Sequence, residues 1–213
     1  MAKLLENSFR LVNISLVNEI KKFADELQID MNEVVNAAAT KPFGFMPFYP
    51  SAGAGGHCIP VDPIYLTWKS EQYNIKQTLI TSAFKVNNEA PIHLVAKILD
   101  IFKKNNLKSK KVLLLGMTYK KNIRDVRNSA SVSVLKALIQ NGVDVHFYDP
   151  HVESLTIEGN LKYGLKSEIE LMEKITEFDL TVILTDHDGL DYKKIETLSN
   201  LIFDTKKRLS KND

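Results

Sequence analysis

The chemistry of this chain concentrates in the stretch Pro42 to Leu66, PFGFMPFYPSAGAGGHCIPVDPIYL, which surrounds the only cysteine, Cys58, with aromatics, prolines and glycines. Gly lets the main chain take positive φ and approach a ligand closely, while Pro stiffens the turns between. The expected outcome is a rigid, irregular loop that presents a thiol. A thiol becomes a nucleophile when its pKa is lowered or a base lies beside it, and His57 and Asp62 are near in sequence. A lone cysteine is otherwise a small buried hydrophobe, and that reading stands beside the catalytic one. One Cys and five His without regular spacing supply no metal ligand set, so no metal is expected.

A second concentration lies after an apolar run, KVLLLG. There GMTYKKNIRDVRNSAS carries Lys120, Lys121, Arg124 and Arg127 ahead of a helix start, and DTKKR stands near the end of the chain. Basic groups converging on a helix N-terminus make an anion site, phosphate above all. The alternative is a solvated basic loop. Gly116 is not followed by glycines at G-x-G-x-x-G spacing, so this segment is not expected to hold a dinucleotide.

The elements around these stretches fall into two kinds. Leu4, Leu5, Phe9, Val12, Leu16, Ile20, Phe23 and Leu27 recur at helical spacing and predict one long amphipathic helix over 2–28. Lys3 and Asn7 lie one turn apart on it and, taken alone, read as solvated surface residues. Asp30 reads as the N-cap of a second helix through Ala39, and 63–73 as a short third. A further helical run over 77–105 contains Pro91, which should kink it or start a new helix, with Asn87 and Asn88 as caps. From Lys111 strands and helices alternate: strand 112–115, helix 131–140, strand 143–148, helix 166–174, strand 180–184, helix 192–198, strand 201–203. That pattern predicts a doubly wound, mostly parallel sheet whose ligands sit beyond the strand carboxyl ends. The fold class is therefore mixed, an all-α domain over 1–106 followed by a Rossmann-like α/β domain over 107–213.

Composition is ordinary for a globular protein, at 44% hydrophobic and 25% charged residues among 213. A net charge of +2 gives no electrostatic case for nucleic acid. No apolar run would cross a membrane and none reads as a signal peptide, so a cytoplasmic protein without disulfides is expected.

Several separated segments resemble the nucleotide-sugar 6-dehydrogenases, the UDP-glucose/GDP-mannose dehydrogenase family: AKLLENSFRLVNISLVNE, GAGGHCIPVDPIYL, LLLGMTYKKNIRDVRNS, DVHFYDPH, and TDHDGLDY with FDT. PFGFMPFYP is similar to the branch acting on UDP-N-acetylhexosamines. The resemblance implies oxidation of a sugar C6 alcohol to the uronic acid in two NAD-dependent steps, through a cysteine thiohemiacetal and thioester. It implies Cys58 as nucleophile, Asp62 as a positioner or activator of water, and Lys3 with Asn7 as stabilisers of the oxyanion. Phe48, Tyr49 and Gly55, with Lys120 and Arg127, would hold the UDP-sugar. A homodimer through the long helices over 77–105 is also implied.

The resemblance starts after the family's NAD-binding domain, so this chain is expected to be inactive with NAD unless a separate NAD-binding chain complements it. Other departures are Ser51-Ala52 for Gly-Pro, Asn128-Ser129-Ala130 for Glu-Ser-Pro, and Lys206 for an Arg whose fork a lysine cannot copy. Two rivals remain: a non-catalytic nucleotide-sugar-binding or dimerising scaffold, and a Cys–His hydrolase built on Cys58.

Overall fold

The structure, a computed structural model, describes residues 1–209. Seven helices and six strands follow one another among these residues, and their contacts group into two compact units, Met1–Ala90 and Pro91–Asp213. The sequence changes character later, near residue 106, where helix gives way to strand.

The first unit is helical. Helix α1 (Ala2–Glu26) packs on α2 (Met31–Ala39) and on α3 (Asp62–Glu71), and the long loop 40–61 joins the last two. Asp30 does cap α2, its side chain accepting the Asn32 N–H, and Pro63 sits in the first turn of α3, where its missing N–H costs nothing.

The buried face of α1 differs from the one its apolar spacing suggests. Asn7, Ser8, Leu11, Ser15, Val17, Asn18 and Ala24 are buried, whereas Leu5, Leu16, Phe23 and Leu27 stay 68%, 52%, 67% and 53% exposed. Three polar side chains of that face, Asn7, Ser15 and Asn18, make hydrogen bonds that apolar ones could not. Ser15 Oγ donates to the Ala83 carbonyl at 2.7 Å, which ties α1 to the last helix, α4 (Thr78–Lys104).

Pro91 neither ends α4 nor starts a new helix. It lies inside a continuous element. A proline there withdraws one N–H from the ladder, a cost that the surrounding turns and packing outweigh. Asn87 is not a cap either: it is mid-helix, and its side chain turns to the glycine loop.

In the second unit, strands β1 (Lys111–Leu115), β2 (Asp144–Tyr148), β5 (Leu180–Ile183) and β6 (Ile202–Asp204) form a wholly parallel sheet in the order β2-β1-β5-β6. Helices α5 (Ala130–Gln140), α6 (Glu168–Lys174) and α7 (Tyr192–Leu198) carry the chain between strands. Leu113 and Leu115 of β1 join Ile183, Leu171, Phe178 and Ile195 in one apolar cluster. Strand alternation turns Val112 and Leu114, equally buried, to the opposite face. A sheet covered on both sides explains why its strands read as unbroken apolar runs.

The antiparallel hairpin β3 (Ser154–Ile157) and β4 (Asn160–Tyr163) is an element the sequence reading missed. Its signal was present: Glu158 and Gly159, both at positive φ (49° and 82°), make the primed turn that joins such strands.

The order of strands reverses beside β1, whose neighbours are β2 on one side and β5 on the other. The crevice at such a reversal is where ligands of open α/β sheets sit. Gly116 ends β1 there at φ 85°, and a Cβ on it would lie 2.3 Å from the Thr185 carbonyl oxygen; at Gly142, φ 71°, a Cβ would meet nothing within 4 Å. Gly116→Ala should therefore cost about 3 kcal/mol or more and Gly142→Ala about 1 kcal/mol, measured by chemical denaturation.

Candidate active site

In the first unit the loop preceding Cys58 has no secondary structure to satisfy its peptide groups, and buried amides supply the partners. Asn18 of α1 accepts the Ser51 N–H at 2.8 Å. Asn87 of α4 makes both bonds that a neighbouring strand would make, accepting from Ala54 N at 2.6 Å and donating to the Ala54 carbonyl at 3.2 Å. Both asparagines are only 5% exposed, so these bonds face little competition from water. Between and beyond them, Gly53 and Gly56 take φ of 121° and 89°, values that side chains other than Gly rarely adopt.

The chain leaves this loop through a turn in which the Cys58 carbonyl accepts the N–H groups of Val61 and Asp62 at 3.2 and 2.8 Å. That turn opens α3 and fixes Asp62 relative to Cys58, whose side chain is half-buried. The Asp62 carboxylate then receives two residues of α1. Lys3 Nζ lies 2.9 Å and Asn7 Nδ2 2.6 Å from the same oxygen, Oδ2. Asn7 is 6% exposed, so the reading of it as a solvated surface residue is corrected, while Lys3, its side chain 68% exposed, reaches the same carboxylate from the surface.

The electrostatics follow the contacts. The bond from Lys3 holds the Asp62 carboxyl below its ordinary value, assisted by Asn7 and His57 against a smaller desolvation effect. Lys3 is raised in turn by its bond to Asp62 and by the Cys58 sulfur within electrostatic reach. So Lys3, Asn7, Asp62 and Cys58 form one cluster. An ammonium has three N–H donors and an amide two, so one bond each to Asp62 leaves donors that can meet a developing oxyanion.

Phe48 packs edge-on against Phe9 at 5.8 Å and against the core of α1 and α2. Tyr49 is exposed and donates its hydroxyl to Asn36 Oδ1 at 2.7 Å. Gly55 lies in the loop between Ala54 and the bend at Gly56.

In the second unit, Lys120 and Arg127 belong to the exposed loop after β1. Arg127 turns its fork onto Asp125, with Nη2 2.7 Å from Oδ2, so an anion would compete with that carboxylate. Lys206 is pushed down by burial against the pull of Asp186 and Asp204.

A dinucleotide does not fit the strand ends of this unit. An acidic residue after the second strand ordinarily binds a ribose. Here that residue, Asp149, is 4% exposed and already accepts Met117 N (2.6 Å), Thr118 N (3.2 Å), His151 N (2.8 Å) and His187 Nε2 (3.0 Å). Burial raises the Asp149 carboxyl, yet the bonds from His187, His151 and Met117 outweigh it and leave it below its ordinary value. This network around Asp149 and His187 is the site feature that sequence reasoning missed, although DPH and DHD flank the strand ends.

Among the described residues no group of three or more His, Cys, Asp or Glu could hold a metal ion, and no helix is long and apolar enough to cross a membrane.

Comparison with known proteins agrees with the motifs. Residues 1–89 match the family model described as "UDP-glucose/GDP-mannose dehydrogenase family, central domain", and residues 113–211 match that of the same family's "UDP binding domain". The UDP-N-acetyl-D-mannosamine dehydrogenase of Methanococcus maripaludis is 33% identical over 100% of this chain and 48% of its own length. The UDP-N-acetyl-D-glucosamine 6-dehydrogenase of Pseudomonas aeruginosa is 33% identical over 83% of this chain and 44% of its own. Among solved structures, the UDP-D-ManNAc dehydrogenase of Pyrococcus horikoshii superposes with a TM-score of 0.81 at 30% identity, covering 99% of this chain and 48% of that one. The chain thus spans about half the length of the relatives it matches.

The pairing of Asp62 has a pH signature. A carboxyl lowered on folding contributes stability above its unfolded value, near 3.8, and loses it as pH falls through the lower folded value. Carboxyl-carbon NMR should show Asp62 titrating below the ordinary carboxylate range, and Lys3→Met should move that titration upward.

Proposed function

The chain belongs to the UDP-glucose/GDP-mannose dehydrogenase family, and we propose that it forms the substrate-binding and covalent-chemistry half of a UDP-sugar 6-dehydrogenase. The observation that carries this is the cluster itself: a thiol, a cation, an amide donor and an ionised carboxylate converging on one turn. A scaffold that only bound or dimerised would not need Lys3 and Asn7 directed at a carboxylate beside Cys58.

In the proposed sequence the Cys58 sulfur attacks the C6 aldehyde carbon, forming a thiohemiacetal whose oxygen takes up negative charge. Lys3 and Asn7 donate to that oxygen. Loss of hydride from the same carbon converts the thiohemiacetal to a thioester, so the sugar is oxidised while the C–S bond is kept. Water then adds to the thioester carbon, positioned by Asp62, and the Cys58 sulfur leaves as the uronic acid forms. NAD, bound by polypeptide outside these 213 residues, would accept the hydride at each oxidation.

The substrate is proposed to be a UDP-hexose or UDP-N-acetylhexosamine, its sugar against Phe48, Tyr49 and Gly55 and its UDP against Lys120 and Arg127. We also propose the division into a helical domain over 1–106 and a UDP-binding domain over 107–213, a cytoplasmic location and a homodimer. Leu79 of α4, 68% exposed, lies on the helical run first implicated in that dimer, and Leu16 and Phe23 of α1, 52% and 67% exposed, are further apolar side chains open to a partner.

Two experiments test this reading. Complemented with an NAD-binding partner domain, the chain should produce NADH from a UDP-N-acetylhexosamine. Cys58→Ser should abolish uronic acid formation, and Lys3→Ala should lower kcat by about 10²–10³-fold, the usual effect of removing an oxyanion donor. Full activity in Cys58→Ser would eliminate the covalent route. In sedimentation velocity the chain should run as a dimer, and Phe23→Glu should shift it toward monomer.

A further inference from the structure

The second unit contains a wholly buried titratable side chain that the proposed chemistry leaves unused. His187, 0% exposed, sits just past β5, on one side of the crevice where the strand order reverses. Its two ring nitrogens hold different elements. Nε2 faces Asp149 Oδ2 at 3.0 Å and Thr118 Oγ1 at 3.2 Å, while Nδ1 accepts the backbone N–H of Asn122 at 3.0 Å. Because Nδ1 is an acceptor, the ring proton resides on Nε2. Thr118 Oγ1 donates onward to the Lys120 carbonyl at 2.9 Å and can therefore receive that proton.

Asn122 is held on every side by the same segment. Its N–H goes to His187, its Nδ2 donates to Asp188 Oδ2 at 2.7 Å, and its Oδ1 accepts the Asp188 N–H at 2.9 Å. The φ of Asn122 is 60°, a left-handed conformation that Asn tolerates better than most residues. Asn122 immediately follows Lys120 and Lys121. The backbone of this basic loop is thus pinned at its base by Asp149, through Met117 N and Thr118 N, and at its middle by His187, through Asn122 N.

We propose that His187 is a positioning residue for diphosphate binding. It transmits the fixed orientation of the buried Asp149 carboxylate to the loop that carries Lys120, through the acceptor at Nδ1. This rests on the reading of the second unit as the UDP site. Lysines on a pinned loop lose less conformational freedom on meeting a diphosphate, which is how preorganisation raises affinity.

The test is calorimetric titration of UDP into the 213-residue chain and into three variants, with a thermal melt of each. His187→Asn places an amide oxygen near the position of Nδ1 and keeps the acceptor for Asn122. His187→Gln places an amide nitrogen near Nε2 and keeps the donor to Asp149. His187→Leu keeps neither. Affinity should fall about tenfold in His187→Leu and His187→Gln, the scale of one lost hydrogen bond, and stay within about threefold in His187→Asn.

If affinity follows melting temperature instead, or if the Gln variant binds as tightly as the Asn variant, the residue is only structural and the proposal fails. Should the unaltered chain give no heat with UDP, it is the UDP reading that fails. Hydrogen exchange at the Asn122 amide then decides on the anchor: protection kept in the Asn variant and lost in the Gln variant upholds it, and equal protection in both overturns it.

Discussion

An irregular loop has no ladder to satisfy its peptide groups, and where it runs through or beside a core it must borrow partners from side chains. Both candidate functional regions of this chain are solutions to that constraint. The loop before Cys58 borrows Asn18 and Asn87; the loop after β1 borrows Asp149 and His187. In each case the lenders are buried and the loop's reactive or basic groups are not. Rigidity is supplied from beneath, and chemistry is left at the surface.

The same constraint explains the face that α1 turns inward. A helix packing only against other helices would bury Leu16, Ile20 and Phe23. This one buries Asn7, Ser15 and Asn18 because its neighbours include a carboxylate, a helix carbonyl and a loop amide that need hydrogen-bonding partners. Satisfying those groups in a water-poor setting outweighs the gain from burying a few more methylenes, since an unmet buried polar group costs about 1–3 kcal/mol. The displaced apolar side chains Leu16, Ile20 and Phe23 remain exposed.

Much of the fold was legible from the sequence because periodicity reports which positions are apolar. The helices α1 and α4 and the strand–helix alternation after Lys111 came from that signal, whereas α2 was read from its cap at Asp30. Periodicity does not report which way an apolar stripe faces, and α1 shows the consequence. Local rules also yield to their surroundings: Pro91 lies within α4 because one missing N–H is a small loss in a long packed helix, and Asn87 serves a distant loop rather than a helix start. The cluster at Cys58 was legible only as motifs. No spacing rule brings Lys3 to Asp62, since their approach depends on how α1 crosses α3.

The strand ends of the second unit carry a consequence for nucleotide choice. Open parallel sheets bind nucleotides where the strand order reverses, and a free acidic group after the second strand selects the ribose of a dinucleotide. In this chain that acid is enclosed. Asp149 is committed to four N–H donors, Gly116 is pressed against Thr185, and no glycine follows to let a pyrophosphate approach the helix. To release Asp149 for a ribose would strand His187 and detach the loop from its base. The architecture common to NAD sites has here been closed at its usual entry, and the same bonds hold the backbone of the basic loop after β1. The enclosure of Asp149 and the anchoring of the loop that carries Lys120 meet at His187, which a linear reading held only as one letter of the motif TDHDGLDY.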